Sequence, residues 1–121
     1  MFKVDSDKIK NRLFITLKDL TPEDVTPILE ALTKNISNLK PGFTCLVDIR
    51  SMELDSGAKG EAYIEIIQGA LADSGMGKVV RVADKKNVAF HHHMEESSLA
   101  LGYTATLAYT YDEAEKILDG K

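Results

Sequence analysis

The chain has 121 residues, of which 44% are hydrophobic and 28% are charged, and its formal net charge is −4. That length suits one domain, residues 1–121, with a single core. The acidic balance argues against a nucleic acid or an anionic membrane surface as partner, because both require a basic face. No apolar run approaches the roughly 20 residues that cross a bilayer. We therefore expect no membrane insertion.

The single cysteine, Cys45, lies inside an apolar run from Phe43 to Ile49. One cysteine cannot form an internal disulfide, and a buried one behaves as a small hydrophobic residue. The N-terminus lacks the pattern of a signal peptide. Together these features favour a cytoplasmic protein. No catalytic set, cofactor motif or metal site is predicted.

Two segments of alternating apolar and polar residues open the chain and predict a β-hairpin. The apolar positions of the first segment are Phe2, Val4 and Ile9. Those of the second segment are Leu13, Ile15 and Leu17. Residues 10 and 11 are the expected turn.

A first helix is predicted from Thr21, a good N-cap, followed by Pro22 at the first helical position. Apolar residues then recur at helical spacing, at Val25, Ile28, Leu29, Leu32 and Ile36. Pro27 opposes a helix interior, since its ring clashes with the preceding turn. We expect a short first turn, with the main helix restarting at Thr26 and Pro27.

Three more strands and three more helices alternate along the rest of the chain. Residues 43–49 form a nearly continuous apolar run, which is typical of a central strand buried on both faces. A helix is predicted after Asp55 and Ser56, with inward positions Tyr63, Ile66, Ile67, Ala70 and Leu71. Residues 78–83 indicate the next strand.

Residues 88–101 indicate a further helix, capped by Asn87 or Asp84 and ended by Gly102. A last strand follows at 105–109, and a capping box from Thr110 to Glu113 opens the final helix. The order ββαβαβαβα predicts an α/β fold. We expect a mixed, mostly parallel sheet of about five strands, an antiparallel N-terminal hairpin and about four helices.

Three segments within this order resemble the STAS family, whose best-known members are bacterial anti-sigma-factor antagonists. Residues 46–51, LVDIRS, are similar to the strand that ends in a V-L-D-L-S type sequence. Residues 54–57, LDSG, are similar to the D-S-S/T-G motif, and residues 110–114, TYDEA, to the start of the closing helix. The resemblance implies a STAS-like fold and a non-catalytic regulatory module. Its implied partner is a protein, such as an anti-sigma kinase or a related signalling protein.

In the antagonists that this chain resembles, a partner kinase phosphorylates a serine of the D-S-S/T-G motif and switches binding off. If Ser56 and Gly57 match the last two motif residues, Ser56 is the candidate phosphorylation site. If Asp55 and Ser56 match the first two, Gly57 occupies that place and no acceptor remains. Asp55 and Ser56 are also preferred N-cap residues, so capping alone explains them. The implied partner-binding residues are Asp55, Ser56, Gly57, Lys59 and Glu61.

Two other features indicate alternative functions. Asp48 is expected at the carboxyl end of a central strand, where open α/β sheets bind ligands. The alternative function is therefore a small-ligand or lipid-binding domain of STAS-like fold without a phosphorylation switch. His91, His92 and His93 are consecutive, and on a helix they point about 100° apart, so they cannot converge on one ion. The usable pairs are His91 with Glu95 and His92 with Glu96, and metal binding through them is a third hypothesis. We expect a solvated helix face there, one that becomes pH-sensitive near pH 6.

Overall fold

In the residues that the structure describes, five strands form one mixed sheet, in the order β1-β2-β3-β4-β5, and four helices pack against it. The elements in chain order are β1 (Phe2–Asp7), β2 (Arg12–Leu17), α1 (Pro22–Ile36), β3 (Thr44–Asp48), α2 (Gly57–Ala72), β4 (Val79–Val82), α3 (Val88–Ala100), β5 (Ala105–Ala108) and α4 (Tyr111–Leu118). The computed structural model describes residues 2–18, 21–52 and 57–120, without the side chains of Pro22, residues 57–64 and Phe90. β1 pairs antiparallel with β2, and every other pair is parallel. The predicted α/β class, N-terminal hairpin and four helices are confirmed.

The hairpin turn corrects the prediction for Ile9. This side chain is 97% exposed and lies in the turn, not on the apolar face of β1. The cause is Asp7, whose Oδ1 accepts hydrogen bonds from the backbone N–H groups of Ile9 (2.9 Å) and Lys10 (3.1 Å). An aspartate that bonds to the backbone two and three residues on favours a turn, so β1 ends at Asp7.

The first helix is continuous, so the predicted restart at Thr26 and Pro27 is wrong. α1 runs unbroken from Pro22 to Ile36 with Pro27 inside it. Proline at this position removes only the hydrogen bond to the carbonyl of Glu23. Glu23 lies exposed in the first turn, where water can serve that carbonyl instead.

The sheet buries both of its faces, but unequally. The larger core lies under α1, α2 and α3 and includes Leu13, Ile15, Leu17, Ile28, Leu32, Phe43, Cys45, Val47, Ile67, Leu71 and Met94. The smaller core lies under α4 and consists of Leu46, Val80, Val82, Ala108, Ala114 and Leu118. β3 and β4 contribute to both cores, which explains their continuous apolar sequences.

A buried arginine connects α4 to the face of the sheet that holds the smaller core. Arg12 is 2% exposed, and its Nη1 and Nη2 bond to Glu115 (2.9 Å) and Asp119 (2.7 Å) on and after α4. Its Nε donates to the Thr44 hydroxyl at 2.9 Å. Although burial acts to lower it, these two carboxylates keep the pKa of Arg12 above its ordinary value. The guanidinium therefore stays charged and links two strands to the last helix.

Among the described side chains of the second helix, Ile66 differs from the prediction, and the side chain of Tyr63, also predicted to point inward, lies outside those described. Ile67 and Leu71 face the core, but Ile66 is 48% exposed. Consecutive helical residues point about 100° apart, so Ile66 leaves the face that Ile67 and Leu71 share.

In the described part of the chain, no helix combines the length and apolarity that crossing a membrane requires.

Glycines close the opposite end of the sheet, where the parallel strands begin. Gly42 N–H donates to the Gly75 carbonyl, and Gly77 N–H donates to the Phe43 carbonyl, both at 2.7 Å. A Cβ built on Gly77 would lie 2.7 Å from the Gly42 carbonyl oxygen. The loops that lead into β3 and β4 thus contact each other through backbone, and any side chain at Gly77 would separate them.

We predict opposite effects for two glycine-to-alanine substitutions. Gly77→Ala should destabilise the protein by about 1–3 kcal/mol, because a methyl group would overlap backbone that has no room to move. Gly69→Ala is the matched control: Gly69 lies inside α2, and its added Cβ would have no neighbour within 4 Å. It should stabilise by about 0.5–1 kcal/mol. Urea unfolding of both variants checks the signs, and equal effects would contradict the packing described here.

Candidate functional site

The parallel strands β2 to β5 end at the same edge of the sheet. The register aligns Thr16 with Asp48, Asp48 with Val82, and Val82 with Ala108. The loops that follow carry charged and aromatic side chains. We name this surface the carboxyl edge and define it by five residues: Asp48, Arg50, Asp84, Tyr109 and Tyr111. In open α/β sheets ligands bind at this edge, at the point where the strand order reverses, and the described strands of this sheet follow one another without such a reversal.

Asp48 lies at the carboxyl end of β3, as predicted, and is largely buried. Its Oδ1 accepts from the backbone N–H and the Nε of Arg50, both at 3.0 Å, and its Oδ2 accepts from Nη2 at 2.8 Å. These bonds raise the pKa of Arg50. Such a two-pronged pair holds a guanidinium in one orientation. What the edge presents to solvent is therefore the fixed cation of Arg50, whose side chain is 41% exposed.

Asn87 connects the loop after β4 to the carboxyl edge by hydrogen bonds. This residue, one of the two predicted candidates, is the N-cap of α3, but its side chain makes no cap hydrogen bond. Its Nδ2 instead donates to the Ile49 carbonyl, and its Oδ1 accepts from the Asp84 N–H at 2.8 Å. Asn87 thereby joins the ends of β3 and β4 and brings Asp84 near Arg50, whose pKa it helps to raise.

Two tyrosines complete the carboxyl edge. Tyr109 is 50% exposed and Tyr111 is 36% exposed. The Tyr111 ring stacks on Phe14 with 6.2 Å between centroids and 11° between planes. Burial raises the pKa of the Tyr111 phenol, and the carboxylates of Glu115 and Asp48 raise it further. The phenol consequently remains protonated at neutral pH and can donate a hydrogen bond.

The predicted partner-binding segment lies next in sequence to the carboxyl edge. Asp55 and Ser56 fall outside the described residues. Gly57 is the first residue of α2, which is where the cap prediction places the helix start. Lys59 and Glu61 belong to the first two turns of α2, and their side chains are not among those described.

A buried polar cluster lies away from the carboxyl edge, on the face of the sheet that holds the larger core, between β4, α2 and α3. Arg81 is 1% exposed, and its Nη1 bonds to Glu95 at 2.7 Å. The same Glu95 oxygen accepts from the Ala105 N–H (2.9 Å) and the Ser98 hydroxyl (3.0 Å). Burial acts to raise the pKa of Glu95, but these bonds lower it overall. One carboxylate therefore joins α3 to two strands.

Sequence reasoning missed this cluster. Arg81 was included in a predicted strand but was not singled out. The available signal was a charged residue in the middle of the otherwise apolar run from Val79 to Ala83. In a strand buried on both faces, such a residue needs an internal partner.

The three histidines do not form one solvated face, which corrects that prediction. His91 is 5% exposed, His92 is exposed and His93 is half-buried. The ring planes of His91 and His92 are tilted by 60° to each other, with 5.3 Å between the centroids. His91 points inward because α3 turns His91, Met94 and Ser98, spaced three and four residues apart, toward the sheet. Among the residues described, no three potential ligands from His, Cys, Asp and Glu converge on a common metal position.

Cys45 is fully buried in the larger core, as predicted. Burial raises the pKa of its thiol to about 12. The nucleophilic form of cysteine is the thiolate, so this side chain is unreactive at neutral pH.

We predict that His91 makes the protein sensitive to acid. Burial, reinforced by the charge of Arg81, lowers the pKa of His91 below its ordinary value of 6.5. The unfolded chain therefore takes up this proton first as the pH falls below about 6.5, and stability is lost until the folded-state pKa is reached. His91→Leu should reduce the drop in Tm between pH 7 and pH 5, whereas His92→Ala should leave it unchanged. Equal drops in all three proteins would contradict the assignment.

No protein-family model matches this chain, and no curated protein or solved structure is significantly similar to it. The resemblance to STAS domains therefore rests on the three sequence segments quoted above. The arguments for function rest on the geometry of the carboxyl edge.

Proposed function

We propose that this protein is a non-catalytic, STAS-like regulatory module that binds a protein partner through the carboxyl edge and the start of α2. The observation that carries the proposal is the group formed by Arg50, Tyr109 and Tyr111. These side chains are partly exposed at one edge of the sheet. Arginine and tyrosine are among the residues that contribute most to binding energy at protein interfaces.

The preorganisation of this group supports the proposal. Asp48 holds the Arg50 guanidinium by two hydrogen bonds, from Nε at 3.0 Å and from Nη2 at 2.8 Å. Phe14 holds the Tyr111 ring by stacking. Binding a partner therefore costs little side-chain entropy at these two positions, and more of the contact energy remains as affinity. A cation beside two phenols suits an acidic or hydrogen-bonding partner surface.

Ser56 is the proposed switch. It precedes Gly57, the first residue of α2. The N-terminal end of a helix carries a positive partial charge, which favours a phosphate there. A phosphoserine adds about −1.5 to −2 charge. In the antagonists that the chain resembles, that addition ends partner binding, and we propose the same consequence here.

The alternative, a small-ligand or lipid-binding domain, receives less support. The enclosed cavity between β4, α2 and α3 measures about 10 Å³, and the pocket at the carboxyl ends of β2 and β3, lined by Thr16, Lys18 and Ser51, measures about 130 Å³. Both volumes are below the roughly 300–1,000 Å³ that is typical of small-molecule sites. Fold resemblance alone does not assign a ligand.

The partner surface is tested by comparing matched variants of the tagged protein expressed in its host. Arg50→Ala and Tyr109→Ala should each weaken retention of the same partner about tenfold or more, because both remove large contacts at the centre of the proposed surface. Lys34→Ala, on the exposed last turn of α1, is the control and should leave retention unchanged. Equal retention by all variants would remove the carboxyl edge from the interface.

The switch is tested separately. We expect incubation with host kinases and ATP to phosphorylate Ser56, as mapped by mass spectrometry, and we expect Ser56→Ala to abolish that modification. The phosphorylated protein should release the partner that the unmodified protein retains. Modification only at other residues, or none, would overturn the switch and leave partner binding standing.

A further inference from the structure

β1 lies at the edge of the sheet, and the hydrogen bonds between the next two strands establish which of its backbone groups point outward. The Thr44 N–H of β3 donates to the Asn11 carbonyl at 3.0 Å. Backbone groups of successive strand residues point to alternate sides. The odd-numbered residues of β2 therefore bond to β3, and its even-numbered residues bond to β1.

The register of the hairpin then divides the residues of β1 into two sets. Three of them lie opposite the even-numbered residues of β2 and bond to that strand: Lys3, Asp5 and Asp7. The N–H and C=O groups of the other three point away from the sheet: Phe2, Val4 and Ser6. The Val4 carbonyl accepts from Asn35 Nδ2 at 3.4 Å, and its second lone pair can accept from another donor. An edge with outward backbone groups of this kind can pair with another strand.

The side chains of β1 present different chemistry on the two faces of this edge. Phe2 and Val4 pack against the larger core but remain partly exposed. Lys3 and Asp5 lie on the opposite face, where their side chains are 74% and 59% exposed and their charged atoms are 3.5 Å apart. A strand that pairs with this edge must therefore match one cation and one anion.

A second copy of β1 meets that requirement in one symmetric register. A two-fold axis makes the two strands antiparallel, and it must pass through a residue, because outward groups bond only to outward groups. An axis through Val4 places Lys3 opposite Asp5 of the second copy, and Asp5 opposite its Lys3. Opposite charges across two strands stabilise the pairing, and like charges destabilise it.

The other registers of this strand with itself oppose like charges. An axis through Lys3, Asp5 or Asp7 would place that residue opposite its own copy. An axis through Ser6 would place Asp5 opposite Asp7. The alternation of charge along β1 thus favours the axis at Val4.

We propose that the protein forms a two-fold symmetric dimer in which β1 pairs antiparallel with β1 of a second copy, with the axis at Val4. The outward groups of the two Val4 residues bond to each other, and those of Phe2 bond to those of Ser6. Lys3 and Asp5 form the non-hydrogen-bonded pair, in which Cα atoms approach to about 4.5 Å and side chains contact each other. The two sheets become one continuous sheet.

Backbone and side chains have different roles in this dimer. Main-chain hydrogen bonds and the burial of Phe2 and Val4 supply the attraction, as in other strand additions. Exposed ion pairs add little affinity, so Lys3 and Asp5 chiefly set the register. The contact is short, and we expect a dimer that dissociates on dilution. The inference is independent of the proposed partner, because the interface uses none of the five residues that define the carboxyl edge.

Charge reversal tests the register. Lys3→Asp and Asp5→Lys should each weaken dimerisation about tenfold or more, as measured by sedimentation velocity over a range of concentrations, because each opposes like charges at both ends of the interface. Lys86→Asp is the control: it changes the net charge as Lys3→Asp does, but lies in the exposed loop after β4, and it should leave dimerisation unchanged. Circular dichroism confirms the fold of each variant.

Mixing the two reversed variants distinguishes a specific register from a general loss of association. Lys3→Asp carries two anions at the interface and Asp5→Lys carries two cations, so each should pair with the other but not with itself. The double variant Lys3→Asp/Asp5→Lys should regain the wild-type affinity. A wild-type protein that stays monomeric at millimolar concentration, a dimer that neither reversal weakens, or a mixture that stays monomeric would overturn the proposal.

Amide hydrogen exchange in the wild-type protein adds a measurement that needs no variant. The amides of Val4 and Ser6 should exchange about tenfold more slowly when about nine-tenths of the chains are paired, because their N–H groups gain acceptors. The amides of Lys3 and Asp5 already bond to β2 and should change less. Exchange of Val4 and Ser6 that does not depend on protein concentration would contradict the dimer.

Discussion

The parallel strands join the sheet in chain order, and the rest of the molecule depends on this constraint. Each βαβ connection is right-handed, so connections that always advance in one direction place their helices on one face. α1, α2 and α3 therefore cover the larger core, and α4 is the helix that covers the other face. The same constraint aligns the ends of β2 to β5 and gathers Asp48, Arg50 and the two tyrosines at one edge.

The two ends of the sheet differ in what they present to solvent. At the amino ends of the strands, backbone groups of Gly42 and Gly77 bond directly to neighbouring loops, and Arg12 is buried between the carboxylates of α4 and the residue that follows it. At the carboxyl ends, Arg50 and two tyrosines are partly exposed. The arginine of the first end is used in an internal contact, whereas the arginine of the second end is accessible to a partner. This difference supports the placement of the proposed partner surface at the carboxyl edge.

Local patterns predicted much of this fold, and long-range pairing limited the rest. Alternation identified β2, helical spacing identified α1, and the capping box located α4, since Thr110 Oγ1 does accept from the Glu113 N–H. α3 was predicted as a helix, but its orientation was not. It turns His91 inward, and Glu95 of α3 pairs with Arg81 of β4, which lies 14 residues away in the sequence. No periodicity encodes that contact. The sequence predicts Asp48 at the end of its strand, but the pairing of Asp48 with Arg50 is seen only in the folded protein.

Glu95 has a consequence for self-association. β5 is an edge strand of four residues, and an edge strand with free backbone groups invites another chain to add a strand. The Ala108 carbonyl accepts a hydrogen bond from the N–H of Ala83, the residue that follows β4. The backbone groups of successive strand residues point to alternate sides, so the Ala105 N–H points away from β4. Glu95 Oε1 accepts that N–H at 2.9 Å. The carboxylate that neutralises Arg81 inside the protein thus also blocks intermolecular strand pairing at the start of β5, and protection from aggregation is tied to the integrity of the core.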